Sequence, residues 1–543
     1  MIRLTTIDEC RIEPLGELGE RLMLNAARLS APCYRPAEIY SADQAGWPGD
    51  WEGRTILALI SLWNATGTKP PYLDRIIEDF PSHLNSEGYI GPVRGETDPV
   101  NEQQLSGHNW LVRGLTEYYL RTGNAAIRDI VLRIVKNLYL PLRGQYRSYP
   151  ADPAVRSGGG SYAGTIEGCV GQWRLSTDTG CAFMCLDALS QIYAVFRLPE
   201  VYELLTEMIE VFCGIDVVNA KMQTHATLSA TRGILTFAEA LGAESPEGRQ
   251  YTAAGARIFD TYIRFGMTEN YANFNWFGRP DSWTEPCAIV DSMMAALALF
   301  RLTEDGQYLT LANRILYNGL GYAQRPNGGF GTDKCVFDGG QAGSNPVLAP
   351  SGNGISEAFW CCTMRGSEGL NAAVRNSVLI GDEGTGNSVP VKRIWLPFCT
   401  DMNVNFRDFE MKIRSELPYG GNYSIEITAG RSPLSLQLMI YNPDGIKSKN
   451  VMLAAGEKTV ISRQCNTALS RVRSSGGRFF KYMKGDLILG DRGSKNGNDP
   501  GANGDADPDM KALSPLTGMR ELGLAEAGED SRIVLFSAVK GEN

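Results

Sequence analysis

Residues 283–323 read WTEPCAIVDSMMAALALFRLTEDGQYLTLANRILYNGLGYA. From Ile289 to Leu302 the text is apolar over a helical length, with Phe300 near its end. It stops at the turn TEDGQ, and a second helical period follows. The same helical-hairpin grammar recurs. LWNATGTKP (62–70), YYLRTGNAA (118–126) and FAEALGAESPE (237–247) each close an apolar helix with an aromatic residue and a Gly-containing turn. Ile56–Trp63, Trp110–Tyr119, Cys185–Phe196 and Leu228–Leu241 supply matching helices. The turn glycines Gly67, Gly123, Gly242 and Gly306 lie 56, 119 and 64 residues apart, and the double gap places a missing turn near Pro199, in VFRLPEVY. A hairpin repeating irregularly, about every 45–75 residues, predicts a closed toroid of about six hairpins rather than a solenoid.

After about residue 385 the text changes to short alternating or β-branched runs: KRIWLPF, VNFRDFEMKI, NYSIEITA, LSLQLMIYN and KTVISRQ, punctuated by YGGN and NPDG. These predict a β-sandwich. The fold class is therefore multidomain, mainly α plus β. Residues 1–15 form a strand-like segment (Ile2–Thr6, Arg11–Glu13) able to pack on the sandwich, 16–380 the helical domain, and 381–543 the sandwich domain. The Gly/Asn/Asp-rich stretch GDRGSKNGNDPGANGDADPD, near 490–510, is expected to be a disordered loop.

A chain of 543 residues exceeds one ordinary domain. Its hydrophobic fraction of 43% and charged fraction of 21% suit a globular protein. The net charge of −9 is spread without a basic block, so nucleic acid and anionic membranes are excluded as partners. No apolar run is expected to reach the roughly 18–20 residues of a membrane span. The N-terminus MIRLTTIDECRIEPLGELGERL has no apolar core of a secretory signal, so the expected compartment is the cytoplasm. In that reducing setting most of the 12 cysteines, Cys185 and Cys213 among them, read as small buried hydrophobes.

Several first helices of hairpins open on a polar or aromatic residue: Trp51 in GDWEGR, His108 in SGHNW, His225 in QTHATL and Glu285 in WTEPCA. If these helices form an inner ring, the four residues gather at one mouth, with helix N-termini pointing into a pocket. The competing reading is of simple caps and surface residues. His83, in PSHLNSEG, belongs to a surface loop. Trp51, Trp110, Trp276 and Trp283 could stack on a sugar, although helix packing is the commoner fate of tryptophan.

The vicinal pair Cys361–Cys362, in WCCTM, carries the sharpest chemical signal. Neighbouring cysteines cannot easily bond to each other, but they can serve one metal if another segment supplies more ligands. Glu285 and Cys287, in Glu-Pro-Cys, are such a segment, and three thiolates with one carboxylate complete a tetrahedral zinc site. Locally, the apolar context also permits plain buried packing.

The text WTEPCAIVDSMMAALALF, YLTLANRILYNGLGYA and WCCTMRGSEGL resembles glycoside hydrolase family 127, the β-L-arabinofuranosidases and related zinc-dependent cysteine glycosidases. The likeness runs from about His108 to YMKGDLILG near residue 482. Cys287 and Cys361 lie 74 residues apart, close to the family's spacing. The resemblance implies an (α/α)-six barrel followed by β-sandwich domains, and zinc held by Glu285, Cys287, Cys361 and Cys362. It implies Cys361 as nucleophile and Glu269, sixteen residues before Glu285 in GMTENYANFNW, as acid/base. It implies a retaining exo-glycosidase that releases a terminal sugar from a small carbohydrate substrate, and a homodimer. His225 would contact sugar hydroxyls, with His108 and Trp276 also in the pocket.

Two departures affect the sugar pocket. A histidine of the family near Cys181–Leu186 is absent from DTGCAFMCL, and Thr363-Met364-Arg365-Gly366 replaces the Pro-Pro-Asn after the cysteine pair. Arg365 is then placed to bind a carboxylate or a hydroxyl array. Retaining chemistry needs nucleophile and acid/base roughly 5–5.5 Å apart, and zinc would keep the thiol as thiolate. Three thiolates and a carboxylate around zinc carry excess negative charge, which departure of Cys361 to the sugar would relieve. Two alternatives stay open: a zinc-thiolate barrel enzyme that activates a substrate thiol, as lanthionine cyclases do, and a non-catalytic carbohydrate-binding barrel with structural zinc.

Overall fold

The structure is a computed structural model that describes residues 2–4, 9–41, 47–156, 158, 160–337, 357–381, 391–473, 479–491, 513–515 and 537–538. Twelve helices build the barrel: α1 (Gly16–Leu29), α2 (Asp50–Thr66), α3 (Leu73–Asp79), α4 (Glu102–Thr122), α5 (Ala125–Ile134), α6 (Cys185–Phe196), α7 (Pro199–Cys213), α8 (Thr224–Leu241), α9 (Pro246–Phe265), α10 (Pro286–Thr303), α11 (Gly306–Arg314) and α12 (Cys362–Arg375). The even-numbered helices pack side by side in chain order, and α12 closes the ring on α2. Each odd-numbered helix lies outside: α1 against α12, α3 against α2, and so on round to α11 against α10. This is the (α/α)-six barrel.

Glycines let the inner helices approach closely. A Cβ on Gly53 of α2 would sit 2.2 Å from the Leu111 nitrogen of α4, and one on Gly233 of α8 would sit 2.4 Å from the Leu186 carbonyl carbon of α6. The turns follow the sequence pattern with one exchange. Gly67, Gly123 and Gly242 end α2, α4 and α8 with positive φ, and Arg197 (φ 55°) makes the turn before Pro199. Gly306 instead opens α11; Glu304 takes the left-handed position, and Asp305 caps the next helix by accepting from Gln307 N at 3.0 Å.

The interior is more apolar than the sequence reading allowed. The window Pro286–Thr303, all of α10, is long and apolar enough to cross a membrane, with mean hydropathy 1.4, but 78% of it is buried inside the molecule. An inner helix surrounded by other helices needs no polar face. None of the 12 cysteines is in a disulfide. Cys185 is buried as expected, whereas Cys213 is exposed, because it ends an outer helix.

Two five-stranded sheets form the sandwich. One runs Arg3–Leu4, Leu379–Ile380, Lys392–Leu396, Leu434–Ile440, Lys447–Leu453; the other runs Lys458–Gln464, Asn422–Ala429, Phe409–Ser415, Met402–Phe406, Cys10–Pro14. The N-terminal strands thus add edges to both sheets. Alternating burial along Phe409–Ser415 and Asn422–Ala429 faces Phe409, Met411, Ile413, Ile425 and Ile427 into a core of their own. The sandwich stops at Gln464. Leu469–Arg473, Phe479–Lys484 and Leu487–Asp491 belong to a separate sheet whose Met483 and Ile488 join the barrel's core. Asn318 of the barrel fastens it, donating to Asp486 O at 2.8 Å and accepting from Ile488 N at 2.8 Å. Beyond Asp491, the Gly/Asn/Asp-rich stretch lies outside the described residues.

Candidate active site and metal centre

The N-terminal ends of α2, α8, α10 and α12 meet at one mouth of the barrel. Glu285 caps α10, with Pro286 and Cys287 as its first residues, and the Glu285 N–H donates to Asn273 Oδ1 at 2.9 Å. Cys361 caps α12 and Cys362 opens it. Two helix starts therefore deliver all four chemical groups of the two motifs. Cys361 Sγ lies 3.4 Å from Cys362 Sγ, which lies 3.8 Å from Cys287 Sγ. His225 at the start of α8, Glu285 and Cys287 form a second group whose ligand atoms all lie within 4.8 Å of one another. Cys287 and Cys362 are fully buried, and Cys361 is half-buried.

Charge explains why a cation belongs here. Burial and the neighbouring Cys287 push the Glu285 carboxyl well above the usual carboxylate range. Burial likewise raises the Cys287 and Cys362 thiols, while hydrogen bonds from Cys287 and Cys362, helped by Arg54, lower Cys361. A divalent cation would reverse that balance and draw the protons off. Three sulfurs at these separations, with the Glu285 carboxylate and His225 grouped on Cys287, offer the soft and borderline donors that a metal such as zinc prefers.

Sequence reasoning missed several neighbours. Arg54 of α2 sets Nη1 3.7 Å from Cys287 Sγ and is itself clamped by Asp50, with Nε 2.9 Å from both carboxylate oxygens. Gln223 Nε2 donates to Glu285 Oε2 at 3.4 Å. Asp178, whose carboxyl is pushed up to about 7 by burial, accepts from Gly164 N at 3.1 Å and leaves Oδ1 without a hydrogen bond. Its carboxylate acts electrostatically on Glu285. The signal for Arg54 was in view, since GDWEGR already marked that helix start as polar.

The remaining predicted residues divide. Glu269 is buried in the 267–273 turn; Lys481, from the sheet beyond the sandwich, places Nζ 3.3 Å from Glu269 Oε2 and 3.0 Å from its carbonyl oxygen. Lys481 also lies 4.3 Å from the centre of the Tyr271 ring. Trp276 is buried edge-on to Trp283, and Trp51 lies edge-on to Phe359. Trp110 stacks on His225 with centroids 5.4 Å apart, and Arg54 and Arg365 lie against the same indole. His83 is exposed, stacked on Tyr40.

His108 and Arg365 are used by the fold. His108 sits at the second turn of α4 rather than its start, because Asn101 caps that helix six residues earlier than the motif suggested. Its Nδ1 donates to Gln104 O at 2.8 Å and its Nε2 accepts from Ile90 N at 3.0 Å, so neither ring nitrogen is left for a sugar. Arg365 is 1% exposed and pairs with Asp291 and Glu368. These belong to a girdle across the barrel below the sulfur centre. Arg113 of α4 pairs with Asp187 of α6 and, at 3.1 Å, with Glu368 of α12. Arg232 of α8 reaches Asp291 of α10 at 2.6 Å, Glu368 at 3.1 Å and Asp187 at 3.4 Å.

No family model and no curated protein matches this sequence. Solved structures do match its shape. A protein titled "Glycoside hydrolase" superposes with TM-score 0.66 at 13% identity over 98% of this chain and 97% of its own. A GH127 beta-arabinofuranosidase gives 0.63 at 13% identity, over 90% and 85%. The GH127 beta-L-arabinofuranosidase of Geobacillus stearothermophilus T6 gives 0.58 at 12% identity, over 88% and 86%. The chain has the fold of glycoside hydrolase family 127. The GH127 matches cover most of both chains, so the shared fold extends beyond the helical barrel.

Proposed function

We propose that this protein is a retaining glycoside hydrolase whose zinc is held by Glu285, Cys287, Cys361 and Cys362, with Cys361 as nucleophile and Glu269 as acid/base. The observation that carries the reading is the convergence of three sulfurs and a buried carboxylate on two helix starts, with sulfur separations of 3.4 and 3.8 Å. Zinc, when bound, supplies the positive charge that keeps these sulfurs as thiolates. Of the three cysteines, Cys361 is the residue that is not fully buried.

In the first step Cys361 Sγ bonds to the anomeric carbon while the carbon–oxygen bond breaks, and Glu269 gives its proton to the departing oxygen. Water then attacks the same carbon, Glu269 takes its proton, and the carbon–sulfur bond breaks to return the thiolate. Lys481 holds Glu269 at both its carboxylate and its carbonyl, which fixes the proton donor's place. Asp178 and Gln223 are polar neighbours able to orient sugar hydroxyls. Two structural neighbours named as arabinofuranosidases support a terminal furanoside as substrate. Twelve cysteines without a disulfide suit the reducing cytoplasm, and a homodimer follows the family pattern.

The deciding experiment pairs turnover of aryl β-L-arabinofuranoside, within a panel of related glycosides, with intact-mass analysis after a bromoacetamide glycoside. A sugar adduct on Cys361, absent from Cys361→Ala, is the expected result. Zinc uptake without turnover of any glycoside and without label on Cys361 sinks the reading in favour of a structural metal.

A further inference from the structure

Beside the three sulfurs, His225 shares a second group with Glu285 and Cys287, whose ligand atoms all lie within 4.8 Å of one another. Its Nδ1 lies 2.7 Å from Asp291 Oδ2. Asp291 also accepts from Ser229 Oγ at 2.7 Å and is paired with Arg232 and Arg365, which hold it ionised despite complete burial. An ionised carboxylate fixes the tautomer: the proton stays on Nδ1 and Nε2 presents a lone pair. Stacking on Trp110 at an interplanar angle of 9° removes the remaining freedom of the ring. Nε2 is buried and has no hydrogen-bond partner. A buried acceptor left without a partner is unfavourable, and a ring nitrogen of His225 lies within 4.8 Å of ligand atoms of Glu285 and Cys287. A carboxylate behind a histidine whose other nitrogen is bare is the arrangement that orients imidazole ligands on metals.

Resting on the zinc reading above, we propose that His225 is a reserve ligand: its Nε2 takes the coordination position that Cys361 gives up when its sulfur bonds to carbon. The electron count closes without proton movement. The Cys361 sulfur pair goes into the new carbon–sulfur bond, the Nε2 lone pair goes to the metal, and the Nδ1 proton stays with Asp291. Exchanging a thiolate for neutral imidazole also removes one negative charge from a centre that carries a surplus. His225 then acts on the metal rather than on sugar hydroxyls, as the sequence resemblance had it.

The test reads the metal, not turnover. Full-length protein, Cys361→Ala, His225→Phe (which keeps a ring on Trp110) and the double variant are loaded with zinc for affinity and with cobalt(II) for absorption and X-ray absorption spectra. Cobalt in Cys361→Ala should lose one sulfur and gain one nitrogen. Zinc should bind His225→Phe as tightly as the parent, and bind the double variant at least tenfold more weakly than Cys361→Ala. If Cys361→Ala gains only oxygen, or if His225→Phe weakens zinc equally in both backgrounds, the reserve role is overturned while the zinc centre stands. If the parent protein takes up no zinc, both fall. Should His225→Phe fail to fold, the cobalt spectrum of Cys361→Ala decides alone.

Discussion

Two charged clusters lie one above the other inside the barrel, and they are balanced in opposite ways. The girdle sets Arg113, Arg232 and Arg365 against Asp187, Asp291 and Glu368, three of each sign, and every member has a partner of opposite sign. The sulfur centre sets Glu285 and three cysteines against Arg54, whose guanidinium is already clamped by Asp50. One cluster is complete as protein; the other groups residues that could hold a cation. Buried charge that is self-sufficient serves the fold, and buried charge that needs something from outside marks the place where chemistry enters.

The contrast can be broken by substitution. Cys361→Ala should cut glycoside turnover by at least ~10⁴-fold while the protein stays folded and zinc-loaded; initial rates and metal analysis check it, and retained activity would remove Cys361 from the chemistry. Glu269→Gln should lose about 10²–10⁴-fold, with the larger loss on substrates whose leaving group needs a proton; a leaving-group series reads this. In the girdle, Glu368→Gln should cost stability by about 3–5 kcal/mol, measured by denaturant unfolding with and without chelator. The cost should be the same in both, and dependence on chelator would merge the two clusters into one.

The smallest effect concerns His108, which belongs to neither cluster. Burial lowers its pKa to about 4, against about 6.5 in the unfolded chain. Between those values the unfolded state binds the extra proton, so stability is fully present above pH 6.5 and is lost as pH falls toward 4, by up to about 3 kcal/mol. His108→Gln can keep both hydrogen bonds and should flatten that slope; unfolding free energies across the interval test it.

The hairpins, the sandwich and the cysteine-rich motifs were legible because each depends on local spacing. Glu-Pro-Cys and Cys-Cys fall at helix starts, and a helix start is visible in sequence. Gln223 and Asp178 were not legible as site residues, and Arg54 showed only through its polar helix start, since ring closure of six inner helices decides which starts face each other. Arg365 shows a different failure. Its nearness to Cys361 suggested a sugar contact, but one helical step turns it down the barrel axis toward Asp291. A clue existed: Arg113, Asp187, Arg232 and Asp291 each stand as a lone charge in apolar helical text. Lone charges recurring on successive inner helices must find one another, because nothing else inside the barrel can neutralise them.

Lys481 adds a dimension of time. The chain is made from its N-terminus, so Arg54 emerges first, the sulfur pair much later, and the lysine that grips Glu269 after the whole sandwich has followed. The barrel can close during synthesis, yet its pocket stays unfinished until the final sheet docks on Asn318. A chain truncated before that sheet would carry the cysteines without the contact that holds Glu269.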